Sequence, residues 1–380
     1  MGTTRTRTLG WARATSAAFA LCSCATLGGE SNGGVNLPSA GDGPFRALQT
    51  GELAPAAVVP YVFGDLNASY RQPTVVGTTS DPANTEVWMY AVGHVGGADS
   101  IVRTHAQDAR SFYADATDNA NASPLHVPAV VLKVDQGWEG SAIGNPSALM
   151  VGGQVWLYYD GAGGIGLARS NDGLTFTKTG APVLAPDATA TWETTAPHAP
   201  AVAVFPDGTW HMLYGAGNSI GEATSSDGLA WTRSPGNPVL GPSAMVDPST
   251  LAPGQTQPFD VGGVDDPVLA PQTTFDGRFQ VRVFYTGYLD PPTATTRTSA
   301  IGLAGRFGSD GALSRQASPT YTAQLHERAA AFFEWDGGSM LYVGEDDISL
   351  GSTSPFPGIA AGYSPATGTL PPPLPFPTTP

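Results

Sequence analysis

Ile165-Gly166-Leu167-Ala168-Arg169-Ser170-Asn171-Asp172-Gly173 is answered further along the chain by Ile220-Gly221-Glu222-Ala223-Thr224-Ser225-Ser226-Asp227-Gly228. Ile301-Gly302-Leu303-Ala304 with Asp310-Gly311 is a third copy, and weaker ones run from Ile101 to Asp108 and from Ile359 to Gly368. Each phrase follows a Pro-led apolar segment and an aromatic segment that ends in Gly. Repetition of this kind marks supersecondary units whose apolar faces are covered only by their neighbours. Five copies spread over about 300 residues give roughly 60 residues per unit, the size of a four-stranded propeller blade with long loops.

The strands of each unit follow from the pattern. Strand one starts at Pro73-Thr74-Val75-Val76, Pro146 to Met150, Pro200 to Val204 and Pro267-Val268-Leu269, with Ala329 to Phe332 in the fifth unit. Strand two covers Val87 to Tyr90, Val155 to Tyr159, Trp210 to Tyr214, Gln280 to Tyr285 and Ser339 to Tyr342. The Ile-Gly phrase is strand three, and its Asp-Gly turns the chain into strand four, because Gly accepts the positive φ of a tight hairpin. Strand four carries Phe176 or Trp231 and is followed by Pro-Val-Leu at 182–184 and 238–240. A further echo precedes strand one: Trp138-Glu139, Trp192-Glu193 and Phe259-Asp260 stand at one fixed distance before Pro146, Pro200 and Pro267. Their regularity points to packing between blades rather than to sugar stacking. The expected fold is all-β: a five-bladed β-propeller of four-stranded blades over residues 58–364.

Composition agrees. Hydrophobic residues make up 41% of the 380, enough for a large core, while 48 Gly and 34 Pro suit short strands and tight turns. The formal charge is −15, and removal of a leader carrying Arg5, Arg7 and Arg13 leaves 14 basic against 32 acidic residues. Such a surface repels phosphate backbones and argues against a nucleic-acid partner.

The leader is read over residues 1–23: basic residues, then an apolar run from Ala14 to Ser23 that is too short to span a bilayer. It ends in Leu21-Cys22-Ser23-Cys24, which resembles a bacterial lipobox and implies lipid on Cys24, the alternative being an ordinary secretory signal with two incidental or paired cysteines. Residues 24–57, with a Gly/Ser/Asn stretch at 28–34, read as a tether, and 365–380 as a Pro-rich tail. The expectation is a monomer anchored through lipid in a bacterial cell envelope, at the outer membrane or cell surface.

Asp266-Pro267-Val268, Trp156-Leu157-Tyr158-Tyr159-Asp160-Gly161, the Ile-Gly phrase and Trp231 to Leu240 together resemble the five-bladed propellers of the arabinanase, invertase and levansucrase superfamily, with glycoside hydrolase family 43 nearest in style. The resemblance covers about four fifths of the chain. It implies a central funnel that acts on or binds carbohydrate without a cofactor.

Strand one lines the central channel, so the residues just before it line the funnel: Arg71 and Gln72, Gly144 and Asn145, His198 and Ala199, Asp265 and Asp266, Glu327 and Arg328. His94, Asp160, Asp290 and Glu345-Asp346-Asp347 fall at the rim, where the three consecutive acids offer a calcium ligand set or a solvated loop. Catalytic members of the resembled superfamily carry carboxylates on three consecutive early blades. Here those places hold Gln72, Asn145 and His198. Two readings remain. In one, Asp266 or Asp265 serves as base and Glu327 as acid, while Arg71, Gln72, Asn145, His198, Arg328 and His94 hold the sugar. In the other, the funnel binds a glycan without turnover, or the propeller scaffolds another envelope protein. His198 has no second histidine at metal spacing, and Asp266 has the alternative of capping a turn.

Overall fold

Twenty-one strands form five antiparallel sheets among the described residues of the computed structural model. Those residues are 46–47, 70–79, 86–95, 98–106, 109, 112–114, 128–274, 277–321, 327–335, 338–348 and 356–365. The only helical turns among them are short 3-10 segments at Gly137–Glu139 and Pro248–Thr250.

The second blade runs β7 (Gly144–Val151), β8 (Gln154–Gly161), β9 (Gly164–Ser170) and β10 (Thr177–Lys178), each paired with the next. The third repeats this with β11 (His198–Val204) to β14 (Thr232–Arg233), and the fourth with β15 (Gly263–Thr273) to β18 (Ser314–Arg315). The first holds β2 (Tyr70–Gly77), β3 (Val87–Val95), β4 (Ala98–Ala106) and β5 (Tyr113–Ala114), and gains β6 (Ala129–Leu132) on the same edge of β4. The Pro-Val-Leu repeat explains that extra strand. Leu184 and Leu240 bridge back to Ile165 and Ile220 as single residues, and Leu132 of β6 makes the equivalent contact with Ile101.

The fifth blade has β19 (Glu327–Trp335), β20 (Gly338–Ile348) and β21 (Phe356–Pro365), and its outer strand is β1 (Arg46–Ala47), with Arg46 opposite Tyr363. This strand comes from the stretch expected to be tether, so both ends of the propeller sequence meet in one sheet. The inner strands β2, β7, β11, β15 and β19 touch in a closed ring. Five hydrophobic clusters fill the five gaps between neighbouring blades, one per gap.

The repeated residues have repeated work. The ring of Trp138 lies over Gly166, where a Cβ would come within 2.5 Å of it; Trp192 lies over Gly221 and Phe259 over Gly302 in the same way. The Gly of the Ile-Gly phrase is therefore the floor on which the blade-entry aromatic packs, within its own blade. The acid beside that aromatic joins strand two to strand four. Glu139 accepts from Tyr159 and Lys178, Glu193 from Tyr214 and Arg233, and Asp260 from Tyr285 and Arg315. In the Ser-x-Asp-Gly turns, Asp172 accepts from the Leu174 and Thr175 backbone and Asp227 from Leu229 and Ala230. These bonds hold both carboxyls below the usual range. Gly173 and Gly228 take φ of 71° and 74°, and their carbonyls accept Tyr90 and Tyr158 hydroxyls from the preceding blade. Ala109 stands in the turn-glycine's place in the first blade with φ of 53°, and its carbonyl receives Tyr342 of the fifth.

The Gly221 floor gives a test. In Gly221→Ala the new methyl would meet the Trp192 ring at 2.4 Å, and the overpacking should cost about 1–3 kcal/mol. Gly236→Ala, with nothing within 4 Å of the added Cβ, should leave the urea midpoint unchanged or slightly raised.

Candidate active site

Four residues that precede a strand-one proline share one backbone conformation. Gln72, Asn145, Ala199 and Asp266 have φ of 55°, 44°, 46° and 47°. Each lies in a bulge where the pairing of strands one and two shifts, between Arg71 and Thr74, Gly144 and Ser147, His198 and Ala201, and Asp265 and Val268. The fifth blade has a shift between Arg328 and Ala330, without the proline. A left-handed non-glycine residue costs on the order of 1–3 kcal/mol and persists where the surroundings enforce it. A bulge re-aims a side chain. Here all four residues line one central channel with a cavity of about 110 Å³, walled also by Val75, Ser147, Val202 and Phe332 among others.

A polar belt ties the bulges together. Gln72 Oε1 accepts the Asn145 N–H at 3.1 Å, and Asn145 Nδ2 donates to Asp160 Oδ2 at 2.7 Å. The same Asp160 oxygen accepts the Ala199 N–H at 2.9 Å, which carries the belt to the third blade. A second belt lies one step deeper, where Thr74 and Ser147 hydroxyls accept the Ala148 and Val202 N–H groups of the following blades.

His198 then reaches the fourth blade. Its Nε2 lies 3.0 and 3.1 Å from the two Asp265 oxygens, and its Nδ1 lies 2.9 Å from the Ala196 carbonyl oxygen. Both ring nitrogens face acceptors, so both carry protons and the ring is an imidazolium. Burial disfavours that charge, but Asp265 outweighs it and moves the His198 pKa up to about 10. Burial likewise pushes Asp265 up, and His198 more than offsets this, so Asp265 is held below the usual carboxylate range.

Asp266 is in the opposite condition. It is 5% exposed, its Oδ2 accepts the Thr286 hydroxyl at 3.0 Å, and its N–H donates to Asp265 Oδ1 at 2.9 Å. Burial first, and then the Asp265 charge, raise its pKa to about 6, against the pull of Arg328 and His198. Burial also raises Asp160, where Asp265 adds to the effect and its hydrogen bonds to Ala199 and Asn145 oppose it. Two carboxyls side by side, one kept charged and one near neutrality, divide acid and base states between them.

The channel thus unites Gln72, Asn145 and Asp266, with His198, Asp265 and Arg328 beside them. Arg71 and His94 form a separate group with Asp99, at 2.5 and 3.0 Å from its oxygens, on the first blade's wall. Glu327 is fully buried at the start of β19, opposite Glu345, and is not among the residues that wall the channel space. Among the described residues no group of three or more His, Cys, Asp or Glu is placed to hold a metal, and the side chains of Glu345, Asp346 and Asp347 lie outside them.

Sequence reasoning left Asp160 on the rim and passed over Asp99, Thr286, Tyr288 and Arg297. The signal for Asp160 was its register: it ends strand two directly opposite Gly144, beside Asn145. Arg297 and Arg328 flank the buried ring of Tyr288, 3.5 and 5.9 Å from its centre.

No family model matches the sequence, and a search of curated proteins finds no relative. Solved structures do share the architecture. A protein described as a glycoside hydrolase aligns with a TM-score of 0.56 at 17% identity, over 83% of this chain and 96% of its own. A glycosyl hydrolase from Bacteroides ovatus gives 0.53 at 14%, over 88% and 97%. The family 117 glycoside hydrolase Zg3597 of the marine bacterium Zobellia galactanivorans gives 0.50 at 14%, over 79% and 85%. At these identities the likeness is one of fold.

The raised Asp266 carboxyl has a thermodynamic consequence. Its folded pKa of about 6 exceeds the unfolded value, so the folded state binds the proton more tightly and stability falls as pH rises from about 4 through 6. Asp266→Asn removes that loss. Relative to wild type, the variant should gain roughly 2–3 kcal/mol between pH 4 and pH 8, read from denaturant midpoints across that range.

Proposed function

We propose that the channel mouth is a carbohydrate site and that Asp266 moves a proton there in glycoside hydrolysis. The observation that carries this reading is a single carboxyl, buried at the channel wall on a strained bulge and titrating at about 6. A group with a pKa near the working pH both accepts and returns protons efficiently. The glycoside hydrolase names of the solved structures that share this architecture support the substrate class.

Hydrolysis of a glycosidic bond needs one carboxyl to protonate the leaving oxygen and another to activate water or attack the sugar. Asp266 takes the base role, and Glu327, buried at the start of β19 one residue before Arg328, is the proposed acid. Gln72 and Asn145 present amides to sugar hydroxyls, and His198 and Arg328 present cations from the adjoining wall. Arg71 and His94 extend the site along the first blade.

A binding-only reading has its own support. Of the four equivalent left-handed positions, Gln72, Asn145 and Ala199 carry no carboxyl. An amide cannot serve as base or nucleophile, so three of the four serve recognition or packing.

Assays against plant, fungal and bacterial glycans decide between the two. Hydrolysis that falls by a factor on the order of 10² or more in both Asp266→Asn and Glu327→Gln supports the enzyme. Glycan affinity altered by the same changes, with no turnover in wild type, supports the binder. A wild-type protein that neither cleaves nor binds any of them overturns both and leaves the scaffold.

We further infer an envelope location through lipid on Cys24, a residue outside the described ones, from the Leu21-Cys22-Ser23-Cys24 match and the Gly/Ser/Asn stretch after it. Cys24→Ala should move the protein from the membrane fraction to the soluble one. Unchanged membrane association would overturn the anchor.

A further inference from the structure

We propose that the ion pair between His198 of the third blade and Asp265 of the fourth is a positioning device for Asp266, holding both its backbone bulge and a fixed negative charge at its side. The proposal rests on the reading of Asp266 as the proton-transfer group, and its test reads titration instead of turnover.

Three geometric facts support it. First, Asp265 is clamped from two directions: both its oxygens face His198 Nε2 while Oδ1 also accepts the Asp266 N–H. That N–H belongs to the residue with φ of 47°, so the carboxylate satisfies a donor that the bulge removes from the strand ladder. Second, the imidazolium is itself fixed, with Nδ1–H on the Ala196 carbonyl at 2.9 Å. Third, the blade is built to admit the pair. His198 pairs across the sheet with Gly215, and a Cβ at Gly215 would fall 2.1 Å from Asp265 Oδ1 and 2.8 Å from His198 Nε2. Any larger residue at position 215 would occupy the space of the ion pair. The sister tyrosine-strand positions show no such demand: the equivalent residues are Asp160 in the second blade and Thr286 in the fourth, opposite Gly144 and Asp265.

The charges that face Asp266 among the described residues are few. Asp265 adjoins it on β15, His198 approaches from β11, Arg328 from β19, and Tyr288 from the end of β16 (Phe279–Tyr288). Arg297 acts on Asp265 and Tyr288 from the loop that follows β16, and Asp160 of β8 acts on His198. Arg328 draws Asp266 toward ionisation, and only Asp265 among its immediate neighbours opposes it together with burial. His198 keeps Asp265 ionised and its own positive charge draws Asp266 toward ionisation, whereas the Asp265 charge opposes it.

The two halves of the pair therefore have opposite effects on Asp266. Carboxyl carbon NMR of the isotope-labelled full chain gives the Asp266 midpoint, and imidazole nitrogen NMR gives the His198 state. In wild type, Asp266 should titrate near 6 and His198 should remain an imidazolium at pH 8. Asp265→Asn removes the neighbouring charge and should lower the Asp266 midpoint by about one pH unit or more, a tenfold loss of proton affinity, while His198 returns toward about 6.5. His198→Gln leaves two adjacent carboxyls with Arg328 as the cation still acting on both, and the upper midpoint of the pair should rise above that of wild type. A merely structural role would move both variants alike. Midpoints that do not move, or that move in the same direction, overturn the proposal. So does a neutral His198 at pH 8 in the wild-type protein, a result that needs no variant to fold. Loss of turnover with these titrations intact would count against the proposed reaction and not against the ion pair.

Discussion

Everything at the channel mouth hangs on a backbone constraint: the residue before each strand-one proline is turned into the left-handed region and out of the strand ladder. Proline removes the N–H that would otherwise pair at that point, and the bulge absorbs the extra residue. A strand entering a narrow channel would bury alternate side chains against its neighbours. The bulge instead releases one side chain per blade toward the axis. Four such positions together represent several kcal/mol of backbone strain, sustained by hydrophobic clusters that fill every gap between blades. The channel mouth is shaped by its walls rather than by its own contacts.

The constraint is identical in four blades, and the side chains it presents are not. Gln72 and Asn145 pass a hydrogen-bonded belt from the first blade to the second, Ala199 offers only its N–H, and Asp266 offers a carboxyl. A symmetric scaffold thus carries an asymmetric polar lining. The asymmetry continues one residue earlier. Gly144 makes room for Asp160 and Gln72, His198 and Asp265 pair with one another, and Arg71 turns aside to Asp99. One wall holds amides and the other holds charges.

The repeat made the architecture legible because each copied residue has a local job visible in one dimension. Asp-Gly needs a positive φ, Ile-Gly needs a flat floor for an aromatic ring, and the entry acid needs a tyrosine and a cation, so those residues recur. The fifth blade was harder to delimit, since its outer strand lies before the first blade in the sequence. The channel residues were legible as positions, because they precede the strand-one proline. Their states were not. That Asp265 is paired and Asp266 is left raised depends on which neighbour reaches across from another blade, and His198 lies far from both in the sequence. Asp160 shows the same limit: it reads as a rim residue along the chain and is buried only through partners on the second and third blades.

The outer strand of the fifth blade also sets the order in which this chain can finish folding. Arg46 pairs with Tyr363, so that bond closes a loop of more than three hundred residues. The second and third blades are flanked only by blades made before the fifth, while the first and fourth each have one face covered by the fifth. The last sheet stays one strand short until both ends are present, with the edge of β21 open to other chains. Its closure is a single late event, and proteins caught before it would be the ones prone to pair with each other.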